Sequence, residues 1–301
     1  MWFFNYIFVN LSGGWLNFLN NIKIIFADIK IAHTVFALPF AVMSAFLAAG
    51  GIPGFEKMIW ILVAMFSARN GAMAFNRIAD TKIDRLNPRT EDRALPAGKS
   101  TAKQYWVFLM LSSLVFLFSA YMLNSLAFAL SPVALGIVFG YSFAKRFTSL
   151  SHLWLGVAIS IAPVGAWIAI REGISIEPLV LGAAVVFWLV GFDIIYSCMD
   201  IDSDKVNNLH SIPQKFGVRI ALKIAFVSHL IMILFLTLLL FIPVLGWVYF
   251  SGVILTAGLL FYEHSLVKED DLSLVNVAFF NINGIISVLL MFFVIVDSTW
   301  Y

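Results

Sequence analysis

The chain has 301 residues, of which 61% are hydrophobic, 16% aromatic and only 12% charged. A soluble domain carries about 25% charged residues, and a mean hydropathy of +0.95 exceeds what one soluble core could bury, so this is an integral membrane protein with several spans. The same figures exclude a disordered chain, a disulfide scaffold and a soluble α/β enzyme; a net charge of +2 gives no basic field for nucleic acid, and Cys198, the single cysteine, has no disulfide partner.

The N-terminal stretch lacks a basic n-region and a small-residue cleavage site, so no removable signal is expected there. Within residues 1–30, Trp15, Phe18, Leu19, Ile22, Ile25 and Phe26 recur at helical spacing among Asn17, Asn20, Asn21 and Lys23, a pattern that predicts a helix lying in the membrane interface. Residues 31–301 then read as one all-α membrane domain, with two pseudo-related halves at about 31–150 and 151–301. A helix needs about 20 mostly apolar residues to cross the hydrocarbon. Nine stretches qualify, at about 32–50, 58–78, 105–123, 126–144, 153–170, 178–197, 220–242, 245–263 and 275–296.

With the N-terminus placed inside, fifteen of the nineteen Lys and Arg residues fall in inside segments and only Lys57 and Arg171 outside; Arg69 and Arg77 belong to the second span. That asymmetry predicts a cytoplasmic N-terminus, an outer C-terminus at Trp300-Tyr301, and cytoplasmic long loops at 80–104 and 198–219; the expected location is a bacterial inner membrane. The lipid bilayer is the evident large partner; no obligate protein partner is evident.

Charge of a particular kind opens both loops. In the first, Asn76, Asp80 and Asp84 stand at i, i+4 and i+8, so an amide and two carboxylates share one helix face. In the second, Asp200 and Asp204 repeat the spacing within Tyr196-Ser-Cys-Met-Asp200-Ile-Asp202-Ser-Asp204. Mg²⁺ prefers oxygen ligands and is usually held by one or two carboxylates plus substrate phosphates. Two facing pairs are therefore candidates for Mg²⁺ around a diphosphate, with Lys82, Lys145, Arg146 and Lys205 as counter-charges; the alternative is a pair of solvated acidic loops. Arg69 precedes Asn76 by seven residues and Asp193 precedes Asp200 by seven, which puts both deeper in their spans on the same faces. Ionised groups at that depth face a polar cavity or pair with each other, so an Arg69–Asp193 ion pair and a substrate-cavity wall are both open. The histidines read as interfacial or structural. From another class, the intramembrane charges also admit a transporter.

These residues resemble the UbiA superfamily of membrane prenyltransferases. The run Asn76…Asp80…Asp84, continuing to Arg93-Ala-Leu-Pro96-Ala-Gly98, is similar to the family's first aspartate-rich motif; Asp200…Asp204 resembles the second. Tyr141-Ser-Phe-Ala-Lys145-Arg146-Phe-Thr148 looks like the family's stretch after the fourth span, with Ser142 where Pro is usual. The resemblance implies nine helices around a central cavity capped by two aspartate-rich loops. It also implies transfer of a polyprenyl chain from its diphosphate to a small aromatic acid. Asn76, Asp80, Asp84, Asp200 and Asp204 would bind Mg²⁺ and diphosphate, with Lys145 and Arg146 on the diphosphate and Arg69 toward the acceptor's carboxylate. Tyr141, Asp193 and Tyr196 join them as candidate substrate-binding residues. The motif tails look most like the 4-hydroxybenzoate type of ubiquinone synthesis, with a dihydroxynaphthoate acceptor of menaquinone synthesis as the alternative.

Overall fold

The computed structural model describes residues 22–29 and 36–300, and among these every regular element is helical. In chain order they are α1 (residues 22–28), α2 (Leu38–Ala49), α3 (Phe55–Asp84), α4 (Ala102–Leu123), α5 (Ser125–Ala144) and α6 (Ser151–Arg171). After them come α7 (Ile176–Ser197), the short α8 (Ile201–Val206) and α9 (Ile212–Phe216), α10 (Val218–Leu238), α11 (Trp247–Leu266) and α12 (Asn283–Trp300). Seven segments are long and apolar enough to cross a membrane: α3 to α6, Ile176–Val206, Val218–Phe241 and Val277–Trp300. The predicted first and eighth spans fall on α2 and α11. α2 has 12 residues, short for a crossing at 1.5 Å per residue. α11 has 20, but Glu263 and His264 occupy its end, which lowers its mean apolarity. Most of the predicted interfacial segment lies outside the described residues. The part that is described packs inward, with Ile25 and Ile29 buried against Ala74, Tyr105 and Leu109.

α3 governs the placement of chemistry. Its 30 residues extend about 45 Å, against a hydrocarbon thickness of about 30 Å. The helix therefore continues beyond the predicted end of its span and carries Asn76, Asp80 and Asp84 on its final turns. α4 packs along it and is started by a capping box, Thr101 accepting from the Gln104 backbone N–H while the Gln104 side chain accepts from the Thr101 N–H. One residue, Asn124, joins α4 to α5. Its Oδ1 accepts from the Ala127 N–H at 2.8 Å, and its Nδ2 donates to the Ile168 carbonyl at 2.9 Å at the end of α6. One amide thus fixes three helix ends.

α7 packs between α6 and α10. Its Trp188 is fully buried against Phe40 and Phe192 and donates its indole N–H to Asn283 Oδ1 at 2.6 Å. Outer helices differ: Trp106, Met110, Leu114 and Phe118 of α4 are exposed, as expected of a surface solvated by lipid tails. A π-helical turn over Val277–Ile282 precedes α12 and brings Phe279 against Tyr196, ring centroids 4.1 Å apart.

Candidate active site

α3, α5, α6 and α7 enclose a cavity of about 1030 Å³. The eleven residues expected from the sequence to bind metal or substrate all line it: Arg69, Asn76, Asp80, Asp84, Tyr141, Lys145, Arg146, Asp193, Tyr196, Asp200 and Asp204. Its walls are amphiphilic. The charged groups gather where α3, α5 and α7 end, while Phe116, Leu123, Leu130, Val133 and Ile161 furnish apolar lining elsewhere.

Each motif carboxylate has a basic partner. Asn76 Nδ2 donates to Asp80 Oδ2 at 2.9 Å, as i,i+4 spacing on one helix requires, and Arg146 donates to Asp80 Oδ1 at 3.2 Å. Arg93 Nη1 lies 2.7 and 2.8 Å from the two oxygens of Asp84. Arg89 grips Asp200 with both arms of its fork, Nε to Oδ1 at 3.0 Å and Nη2 to Oδ2 at 2.6 Å, and donates through Nη1 to the Tyr196 hydroxyl at 2.5 Å. Lys145 Nζ stands 3.9 Å from Asp204 Oδ2, which also accepts from Ser211 Oγ at 2.7 Å. Burial disfavours the charged guanidinium of Arg89, but Asp200 and Tyr196 outweigh it and hold the group above its ordinary pKa.

The segment after α3 makes this possible. Thr90 Oγ1 donates to the Asp84 carbonyl at 3.0 Å, curling the chain back over the helix end. Gly98 then takes φ 70°, a conformation that glycine adopts freely, so that the Lys99 and Ser100 N–H groups both reach the Ala94 carbonyl. Arg93 is returned to the first motif, and Arg89 crosses to the second.

Two expectations need correction. Arg69 and Asp193 both line the cavity but do not pair with each other. Asp193 instead bonds His152, Nδ1 to Oδ2 2.6 Å, because α7 packs on α6, and Arg69 donates from Nη2 to the Ile29 carbonyl at 3.2 Å. Lys82 and Lys205 are exposed and do not line the cavity; Arg89 and Arg93 take the places assigned to them. His152, read as interfacial or structural, is fully buried, does not line the cavity and touches it through Asp193. The sequence did signal the arginines, which stand in the quoted motif tail. Nothing in it signalled His152 or Asp28, whose partners are 41 and 49 residues away.

Arg89 makes a testable contribution. Lysine keeps the charge but cannot reproduce a bidentate fork. Arg89→Lys is expected to lower kcat/KM of the reaction that this cavity supports about tenfold and Arg89→Ala further, since hydrogen bonds to charged groups contribute about 1.5–3 kcal/mol; steady-state kinetics in detergent check this.

Residues 37–285 match the UbiA prenyltransferase family. The chain belongs to this family. It is 31% identical over 245 residues to a 4-hydroxybenzoate octaprenyltransferase of Tolumonas auensis and 32% identical over 238 residues to one of Vibrio parahaemolyticus, each match covering 79% of this chain and 83% of the relative. Among solved structures, a UbiA homologue of Aeropyrum pernix in its apo form is 34% identical, with a TM-score of 0.81 over 89% of this chain and 98% of that one. A UbiA homologue of Archaeoglobus fulgidus bound to GPP and Mg²⁺ is 20% identical, with a TM-score of 0.73 over 91% of this chain and 99% of that one, and shares the fold. The cavity described above is thus that of a UbiA prenyltransferase, an enzyme built in a helical membrane scaffold.

Proposed function

We propose that this UbiA prenyltransferase transfers a polyprenyl group from polyprenyl diphosphate to a ring carbon of a small aromatic acid, 4-hydroxybenzoate, in ubiquinone synthesis. The observation that carries this reading is one cavity with the four motif acids and their four basic partners at one end and apolar walls beyond, which suits an allylic diphosphate with a long hydrocarbon tail. The names of the curated relatives support the acceptor. The inside excess of Lys and Arg supports motif-bearing ends that face the cytoplasm.

The donor set fits Mg²⁺. Asp80, Asp84, Asp200 and Asp204 offer only hard oxygen ligands. Among the described residues no three His, Cys, Asp or Glu side chains could hold a metal by themselves, so Mg²⁺ there would need substrate phosphate oxygens besides one or two carboxylates. Charge argues the same way: Arg89, Arg93, Lys145 and Arg146 no more than balance the four motif acids, and Asp92 lines the cavity as well, so an incoming diphosphate needs additional positive charge. When bound there, Mg²⁺ would neutralise charge on the leaving diphosphate.

The chain's own groups do the rest. Lys145 and Arg146 contact diphosphate oxygens, and Arg89 and Arg93 hold the carboxylates in place. Arg69, two turns deeper on α3, receives the acceptor's carboxylate. The C–O bond to diphosphate breaks as a C–C bond forms at the ring carbon ortho to the phenol, and the ring proton passes to the departing diphosphate, which restores aromaticity. Apolar walls exclude water from the allylic cation-like centre. Membranes containing the protein, given Mg²⁺ and labelled polyprenyl diphosphate, are expected to prenylate 4-hydroxybenzoate and to stop with EDTA. Product from a dihydroxynaphthoate alone would move the enzyme to menaquinone synthesis, and EDTA-insensitive product would remove the metal from the account.

A further inference from the structure

His152 is fully buried at the start of α6 and has two partners. Its Nε2 lies 3.4 Å from the Ile212 backbone nitrogen, an obligate donor, so Nε2 accepts and the ring proton sits on Nδ1. Nδ1 then donates to Asp193 Oδ2 at 2.6 Å. The Asp193 side chain is 18% exposed and lines the cavity, and its second oxygen, Oδ1, makes no hydrogen bond among the described residues. One oxygen is held by protein and the other is offered to whatever fills the cavity.

The backbone that fixes the tautomer also touches the diphosphate end. Within residues 209–212, the Leu209 N–H donates to the Asp204 carbonyl at 2.8 Å, the His210 N–H to the Lys145 carbonyl at 2.7 Å, Ser211 Oγ to Asp204 Oδ2 at 2.7 Å, and the Ile212 N–H to His152. Four consecutive residues therefore join Asp204 and Lys145 to the histidine that orients Asp193.

We propose that His152 is a positioning residue that aims Asp193 Oδ1 at the phenolic hydroxyl of the aromatic acceptor and, through residues 209–212, ties that aim to the diphosphate end of the cavity. This rests on the aromatic-acceptor reading above. A carboxylate that accepts the phenol's hydrogen bond orients the ring and enriches its ortho carbon in electron density, which favours attack on the allylic carbon. An aim supplied by a neutral imidazole leaves the full negative charge on Asp193, whereas a cationic partner would draw it away.

The side chains of Asn and Gln separate the two bonds. Asn places an amide donor near the position of Nδ1 and drops the bond to Ile212; Gln reaches the Nε2 position and gives up the donor to Asp193. His152→Ala and His152→Gln are expected to raise the acceptor KM or lower kcat, with kcat/KM for the acceptor down about tenfold and KM for prenyl diphosphate unchanged. His152→Asn should recover most of that loss. In the Asp193→Asn background the His152→Ala effect should vanish, because a residue that acts through another has nothing left to act on. Equal losses for Asn and Gln, additive effects with Asp193→Asn, or a raised KM for prenyl diphosphate alone would overturn the assignment. A second measurement does not depend on the acceptor. In ¹⁵N-histidine-labelled protein in nanodiscs, the resonance lost in His152→Asn should report the Nδ1–H tautomer and change in Asp193→Asn. An Nε2–H tautomer would refute the positioning geometry, while absent turnover in the wild type with this tautomer intact would refute only the choice of acceptor.

Discussion

Asp80→Ala and Asp200→Ala are each expected to lower kcat/KM for prenyl transfer by on the order of 10³-fold, the range lost when one preorganised charge-stabilising group leaves an active site. Both carboxylates line the cavity and both are held by neighbours, Asp80 by Asn76 and Arg146 and Asp200 by Arg89. Alanine removes a proposed metal ligand and also leaves a cation without its counter-charge, so the diphosphate would be bound in the wrong place as well as less tightly. Asp202 sits between the two acids of the second motif but is exposed and does not line the cavity. Asp202→Ala is expected to stay within about twofold of the wild type, since surface changes away from special features are small. Equal losses at Asp200 and Asp202 would mean that general acidity of the loop, and not position in the cavity, supports turnover.

The second large effect is on stability. Asp28 and Arg77 form an ion pair at 3.0 Å, with side chains only 7% and 3% exposed. Arg77 Nη2 also donates to the Asp28 carbonyl at 2.9 Å, the Tyr105 hydroxyl donates to Asp28 Oδ2, and the Ala94 N–H donates to Oδ1 at 2.9 Å. A single carboxylate before α2 thus fastens α3, α4 and the segment after the first motif. Removing one partner of such a pair leaves a buried charge uncompensated and costs about 3–5 kcal/mol, whereas replacing both by apolar groups is often neutral. Asp28→Ala should lower the midpoint of detergent unfolding sharply, and Asp28→Leu with Arg77→Met should recover much of the loss. Activity is expected to fall along with stability in Asp28→Ala, because Ala94 anchors the stretch that carries Arg93 to Asp84. An unfolding midpoint unchanged in Asp28→Ala would contradict this account of the clasp.

What was legible beforehand follows from the physics of each signal. A bilayer demands a run of about 20 apolar residues with every backbone bond made inside the helix, so the long spans stand out residue by residue. The i, i+4, i+8 pattern of Asn76, Asp80 and Asp84 is equally local, and α3 presents it intact. α2 was harder to place because its length, and not its apolarity, sets it apart; α11 differs through the polar pair at its end. Partners far apart in the chain were not legible. Asp193 could pair with any deep cation, and the sequence offered Arg69 at matching depth; the packing of α7 on α6 gave it His152 instead. Arg89 and Arg93 looked like loop charges until Gly98 and Thr90 folded the loop back. The cation set around the acids is thus a property of tertiary structure, while the acids themselves are written in the motifs.

The most direct test of the central claim, that the two aspartate motifs jointly hold a diphosphate with a divalent metal, is equilibrium binding of a radiolabelled non-reactive prenyl thiolodiphosphate to the purified protein. The account predicts binding with Mg²⁺, loss of binding in EDTA, and at least tenfold weaker binding in both Asp80→Ala and Asp200→Ala. Binding that is equally tight in EDTA, or unaffected by either substitution, would contradict it.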